Sequence, residues 1–454
     1  MTMIRYSIGL LPTRRTTQLS CTLLTLLHFL GTGCAPGARE AWIGIDLRPG
    51  HAVAGSQPAS APAPPADRRV DFQLVRQLGA SLVRANIMNW AAAQPVAGGA
   101  YDFSMPDRFV RMAQQNNIDL LAVCGGIPVW ATADPPAAVP ARDKSEAFAA
   151  FVQAFVDRYD GDGRRDMPGL RKPIRDFECL QEMEDVPPAE YAAWLRLFHD
   201  IVRKTDPKAR VVLGSLRTPG LNTPDQAKDY STYFERLLAD PALQGPAYPC
   251  FDVVAFHNFP RRYPGRPAFE HAVAYLRQAM AAHHFDRPIW LTAFGADSNA
   301  PNARGDDRQA ADLVCWTIHA RTLGIERMYI HTLRDEPPGT DAGAAGCFGL
   351  VRDVPGGGQP PTKPAFEAVT MLLSTLGDYS QITRRAAGIY MLSGHKEPTY
   401  VLWRVARYDP SSFLIPGWWE VRTLSGQRFI RQGSDIKLTD QPIFLKPTTS
   451  PFIR

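Results

Sequence analysis

Two hydrophobic rhythms alternate along this chain. From Trp42 onward, short runs of consecutive apolar residues are followed by longer stretches in which apolar residues recur every three to four positions. The first rhythm marks strands buried on both faces, the second amphipathic helices. In order, the strand runs are WIGIDL, ASLVRANI, IDLLAVCG, IRDFECLQE, ARVVLGS, FDVVAFHN, RPIWLTAFG and IERMYIHTL. An Ala- and Pro-rich loop follows the first run, and helical stretches such as DFQLVRQLG, SEAFAAFVQAFVDRYDG and AEYAAWLRLFHDIVRKTDP separate the others. KPAFEAVTMLLSTLG closes the series. Eight strand–helix units between Trp42 and Gly377 predict a parallel (β/α)8 TIM barrel. No glycine-rich dinucleotide loop follows the first strand, which counts against an open doubly wound sheet.

After Gly377 the texture changes. GIYMLS, TYVLWRVA, GWWEVRTL, RFIRQ and PIFLKP are β-rich and broken by turn residues such as DPSS and SGQ. Residues 378–454 are therefore expected to form a small antiparallel β domain beside the barrel. Trp418 and Trp419 are expected to pack against the barrel, with a sugar-stacking surface as the alternative.

The N-terminus has a different design. Arg5, Arg14 and Arg15 precede the apolar run CTLLTLLHFL and the small residues Gly31-Thr32-Gly33, then Cys34. This is the pattern of a secretion signal over residues 1–34, and the run is too short for an ordinary transmembrane helix. GTGC resembles a bacterial lipoprotein box, which implies lipidation of Cys34, a short tether over 35–41, and a periplasmic or outer-membrane-anchored protein. A plain cleaved signal is the alternative. The formal charge of +5 falls almost to balance without residues 1–33, at 47 basic against 45 acidic residues. No nucleic-acid footprint is expected, and any membrane contact would come through the lipid alone. Cys124, Cys179 and Cys315 lie in apolar runs, leaving Cys250 and Cys347 as the candidates for a bridge. No CxxC, HExxH or HxH spacing occurs, so neither a metal nor a cofactor is expected.

The richest chemistry lies in RDFECLQEMED, residues 175–185. Here a buried strand ends in Glu182, with Glu184 and Asp185 beyond it and a helix to follow. A barrel enzyme places catalytic groups at the C-terminal ends of its strands. The plainer reading is a solvated acidic loop ahead of a helix N-terminus.

Several strand-end residues together resemble the clan A glycoside hydrolases, most closely the family 39-type barrels. ASLVRANIMNW followed by GGAYDFSMPDRFVRMAQQNNIDLLAVCGGIPVWAT is similar to the second and third barrel units of that family, with Arg84, Trp90, the turn Gly99–Phe103, Pro128 and Trp130. FDVVAFHNFP resembles the sixth strand with its histidine, His257, and CFGLVRD with KPAFEA the end of the eighth unit. The resemblance implies an oligosaccharide or polysaccharide ligand, with an exopolysaccharide as one source. It makes Glu182 the acid/base and Arg84, Trp90, Trp130, Gln181 and His257 the substrate-binding residues. Gln181 stands where the family has asparagine and Met183 where it has proline.

At the nucleophile position the chain departs from the family. PIWLTAFG puts Ala293 there. Retaining hydrolysis needs two carboxyl groups roughly 5–5.5 Å apart, and an alanine methyl cannot attack an anomeric carbon. One reading is a carbohydrate-binding protein in which Gln181 refills the space beside Ala293. Another is an active glycosidase with a displaced carboxylate, with Asp297 first in line and Glu178 and Glu336 behind it. A third is a non-catalytic envelope scaffold. Arg84, freed from a nucleophile, is expected to face Glu182 or another acid.

Overall fold

The structure is a computed structural model that describes residues 41–47, 69–132, 138–217, 231–259, 268–298, 305–336, 346–354, 359–394, 397–405, 413 and 417–449. The expected signal segment and Cys34 lie outside the described residues. Eight strands follow one another around a closed barrel: β1 (Ile43–Asp46), β2 (Leu82–Asn89), β3 (Asp119–Gly125), β4 (Asp176–Gln181), β5 (Arg210–Arg217), β6 (Val254–Asn258), β7 (Ile289–Phe294) and β8 (Arg327–His331). Every neighbouring pair is parallel, and β1 closes on β8 with Asp46 opposite His331. The helices are α1 (Arg69–Leu78), α2 (Trp90–Ala93), α3 (Ser104–Gln115), α4 (Ser145–Tyr159), α5 (Pro188–Thr205), α6 (Tyr233–Leu238), α7 (Ala268–Ala282), α8 (Gly305–Thr322) and α9 (Pro364–Leu376). All eight expected strands are present; the one-turn α2 is an addition.

The interior is packed in layers. Leu82, Leu121, Val212, Ala255, Trp290 and Tyr329 come from six different strands and form a core of their own, as side chains filling the inside of a barrel do. Arg210 and Arg327 lie over the Trp290 ring, and both bond Asp176. A polar layer sits above this plug, toward the strands' C-terminal ends. Close approach of β4 and β5 there depends on Gly214, whose backbone N–H donates to the Tyr191 hydroxyl while that hydroxyl donates to the Cys179 carbonyl. A methyl at Gly214 would press into the same carbonyl oxygen and hydroxyl.

The C-terminal part is a six-stranded sheet in the order β13-β12-β14-β11-β10-β9. Its strands are β9 (Gln381–Ala386), β10 (Ile389–Ser393), β11 (Thr399–Leu402), β12 (Trp418–Arg422), β13 (Arg428–Gln432) and β14 (Ile443–Thr448). Strand β9 has no counterpart in the sequence reading, because QITRRA is an edge strand with too few apolar residues to show a period. One face of the sheet packs on the barrel. Tyr390 stacks on Trp403 at 4.8 Å, its hydroxyl pairs with His319 on α8, and Arg384 bonds Glu270 on α7.

Candidate functional site at the barrel mouth

Strand β4 ends abruptly. Leu180 and Glu182 both adopt left-handed backbone (φ 62° and 54°), a conformation non-glycine residues seldom hold without reason. The Glu182 N–H is tied to the Ser215 carbonyl on β5 at 2.8 Å. These turns bring the Glu182 side chain over the mouth, where about a third of it stays open to solvent. One carboxylate oxygen accepts from His257 Nδ1 at 2.7 Å, and the other from Arg217 Nε at 3.0 Å. Arg217 also bonds Asp185 at 2.8 Å. Burial pushes the Glu182 carboxyl up, but the His257 hydrogen bond and the Arg217 charge outweigh it and hold the group well below the usual carboxylate range. A proton donor needs the opposite, a carboxyl raised toward neutrality.

Arg84 settles on other acids. Its Nε and Nη2 grip both oxygens of the fully buried Glu178 at 2.7 and 2.9 Å, and Nη1 reaches Asp46 at 2.9 Å. Nη2 also donates to Gln181 at 2.7 Å. Gln181 is thus engaged by the guanidinium that the family resemblance reserves for a nucleophile. Ser215 adds a hydroxyl hydrogen bond to Glu178 at 2.5 Å, and Asp46 takes a further one from His331 Nδ1 at 2.8 Å. Burial raises the Asp46 carboxyl, yet the charge of Arg84 and the His331 contact carry it far below its ordinary value. Glu178 therefore belongs to a buried network rather than to an open cleft.

Ala293 lies on β7 directly across from His257, and paired residues of parallel strands share a face. Ala293 is 3% exposed. Asp297 sits beyond the end of β7, and the neighbouring Ser298 N–H bonds the Cys347 carbonyl. Glu336 is tied through its own N–H to the Gly346 carbonyl, and residues 337–345 of its loop lie outside the described residues.

The expected aromatic walls divide. Trp90 is fully buried, stacked on Phe151 and bonded through Nε1 to Gln94, so the sugar-wall expectation for it is corrected to a core role. Trp130 packs edge-on against Trp90, donates to the Gln94 carbonyl and stays half-buried. The turn Gly99–Phe103 is structural as well: Asp102 accepts from the Ser104 N–H at the start of α3, and Phe103 packs on Phe155. Cys250 and Cys347 are both free thiols.

Four residues of this site had little signal of their own. Asp46, Ser215 and His331 each lie near the C-terminal end of a predicted strand, where a search for polar residues would have found them, while Arg217 falls two residues beyond the fifth predicted run, which the structure extends to include it. Glu184, one of the acids that follow Glu182 in the sequence, departs from the solvated-loop reading. It is 7% exposed, its Oε1 accepts from the Arg217 N–H, and its Oε2 has no partner. Burial raises this carboxyl to about 8, with the nearby Glu182 adding to the effect.

Among the described residues, one group has the spacing to offer a metal ion three oxygens: Asp160, Asp162 and Asp166, with the donor atoms within 4.8 Å of one another. It sits on the loop from α4 to β4, at the opposite end of the barrel from the mouth, and its carboxylates are occupied by loop N–H groups of Gly161, Asp162 and Gly163.

A family model described as beta-galactosidase, of the family 42 glycoside hydrolases, matches residues 59–152. No match is found among curated protein sequences. Among solved structures, a family 39 glycoside hydrolase from Bacteroides cellulosilyticus WH2 superposes with a TM-score of 0.64 at 15% identity, over 89% of this chain and 80% of that one. A family 39 enzyme from Xanthomonas axonopodis pv. citri gives 0.60 at 15% identity, over 93% and 96%. A glucosidase from Croceicoccus marinus gives 0.60 at 14% identity, over 92% and 98%. The chain shares the fold of these solved glycoside hydrolase structures, a TIM barrel with a separate antiparallel sheet.

Proposed function

We propose that the barrel mouth engages an oligosaccharide or polysaccharide without performing retaining hydrolysis. The observation that carries this reading is the pairing of Ala293 with His257 on one face, with the Glu182 carboxylate bonded to both His257 and Arg217. The mouth keeps strand-end polar groups that suit sugar hydroxyls, but it pairs no proton-bearing carboxyl at Glu182 with a second carboxylate at position 293. The glycoside-hydrolase fold supports a carbohydrate as the class of ligand.

Calorimetric titration with cellotetraose, mannotetraose and a wider oligosaccharide panel tests it. The expected result is saturable binding, no reducing-end release over days, and a loss of about tenfold in affinity for E182Q. Turnover by the wild-type chain that E182Q abolishes would make the protein a glycosidase with a displaced carboxylate. Absence of binding across the panel would favour a scaffold.

The N-terminal pattern supports export with a lipid on Cys34. Among the described residues no helix is long and apolar enough to cross a membrane. In a bacterial host, C34A is expected to abolish incorporation of an alkyne-tagged fatty acid; labelling that survives the substitution would refute the anchor.

A further inference from the structure

Among the described residues the exposed large apolar side chains are Val96, Val129, Phe429 and Ile430. The last two are neighbours on β13, and every residue of that strand, RFIRQ, is exposed. Strand β13 ends the sheet, with β12 on one side and no described strand on the other. It is regular, with an unbroken register against β12 and neither bulge nor proline. An open edge of this kind is a template for another strand, and folds commonly blunt it with a bulge, a proline or a cover. Here the edge carries only two charges, Arg428 and Arg431, and their positions decide what it accepts.

The ladder fixes which backbone groups face outward. The Thr423 N–H donates to the Gln427 carbonyl, and the Gly433 N–H to the Gly417 carbonyl. Both couples continue the register that sets Trp418 opposite Gln432 and Arg422 opposite Arg428. Hydrogen-bonded couples alternate along an antiparallel pair. Phe429 and Arg431 therefore bond β12, while Arg428, Ile430 and Gln432 turn their N–H and C=O groups to the open side. A side-chain contact agrees: Arg431 Nη1 donates to the Ile430 carbonyl at 3.1 Å.

We infer that β13 pairs antiparallel with β13 of a second copy of this chain, about a two-fold axis at Ile430, so that two six-stranded sheets become one. In this register Ile430 meets the partner's Ile430, Arg428 meets the partner's Gln432, and Phe429 meets the partner's Arg431. Outward-facing residues meet only outward-facing residues, so the backbone hydrogen bonds close, and no arginine stands opposite an arginine. Arg431 already lies over the Phe429 ring of its own strand at 5.1 Å, and across the axis it gains a second ring. Glu420 on β12 stands 3.7 Å from Arg428 and offsets part of the charge brought to the axis. Other registers fit less well. An axis at Arg428 or Arg431 sets two arginines face to face, and an axis at Phe429 runs the ladder into the turn at Gly426. The ladder is short, below the roughly 1,200 Å² of a stable specific interface, so the dimer is reversible, with a midpoint on the order of 10 μM.

Sedimentation equilibrium of the purified chain from about 1 to about 200 μM tests this, and the wild type is expected to pass from monomer to dimer across that range. I430P removes the outward N–H without touching a bond to β12, and I430K puts two ammonium groups at the axis. Both are expected to stay monomeric throughout, with the wild-type thermal midpoint at the lowest concentration. Q432E sets a carboxylate opposite the partner's Arg428 and is expected to tighten the dimer by about threefold or more at low salt, a gain that depends on this register. Should proline disturb the sheet, seen as a lowered thermal midpoint, I430K and Q432E still decide, because both change only exposed side chains. A dimer that I430K leaves intact, or that Q432E fails to tighten, would overturn the inference. So would a wild-type chain that stays monomeric at every concentration, whose open edge then belongs to water or to a strand of a different protein.

Discussion

Replacing Arg84 by methionine is expected to destabilise the protein by about 3–5 kcal/mol, read as a fall in the urea midpoint without a change in slope. The guanidinium is 4% exposed and stands between two buried carboxylates, Asp46 and Glu178. Removing it does more than delete hydrogen bonds. It strands two charges on carboxylates that are themselves buried, and the cost of a lone buried charge exceeds the value of the pair it came from. The double variant R84M with E178L should therefore recover part of the loss, because one stranded charge leaves with its partner. A single variant as stable as the wild type would show that water reaches this layer and that the network is more open than its geometry indicates.

The second large effect concerns Glu184 and has the opposite sign. An unfolded glutamate titrates near its ordinary value of 4.5, whereas burial moves the folded carboxyl to about 8. Between those limits the folded chain keeps a proton that the unfolded chain has released. Stability therefore falls as pH rises through that window, by about 1.4 kcal/mol per unit, and levels off above it. The span amounts to something on the order of 5 kcal/mol. E184Q keeps an acceptor for the Arg217 N–H and has no proton to lose, so it should flatten the decline and be the more stable protein at pH 8. Urea unfolding of both proteins at pH 5 to 9 reads this directly, and identical slopes would refute it. Asp46 and Glu182 act at the acid end. Their folded carboxyls are depressed, so the stability they supply is present above the ordinary carboxylate values and is lost as pH falls below them.

Why the barrel could be read from sequence and its mouth only partly comes down to range. The strand runs IWLTAF and DFECLQ are buried on both faces, and that constraint is local, so the residues display it in the order they are written. The network at the mouth is not local. Arg84 meets Glu178 across 94 residues and His331 meets Asp46 across 285, and nothing in either stretch records its partner. Sequence placed Arg84, Glu182, His257 and Ala293 at strand ends but left the pairing open. Glu178 carries the Arg84 contact that Glu182 was a candidate for, and His257 with Arg217 took Glu182 instead. Trp90 misled for a related reason, since an aromatic at a strand end looks the same whether it lines a cleft or, as here, turns back onto α4. Strand β9 escaped notice because it pairs along a polar edge, where pairing leaves no hydrophobic mark.

The sheet's seam with the barrel has a consequence for how the molecule comes apart. Tyr379, Tyr390, Leu392, Val401, Trp403 and Phe444 belong to the same buried cluster as the barrel's own residues. Two parts joined in this way are one thermodynamic body. A chain ended after α9 would open the flank of α8 to solvent, and heat or urea should meet one cooperative transition rather than two. For whatever ligand the mouth holds, the sheet is then part of the foundation: binding energy gained at the strand ends is shared by strands that never touch it.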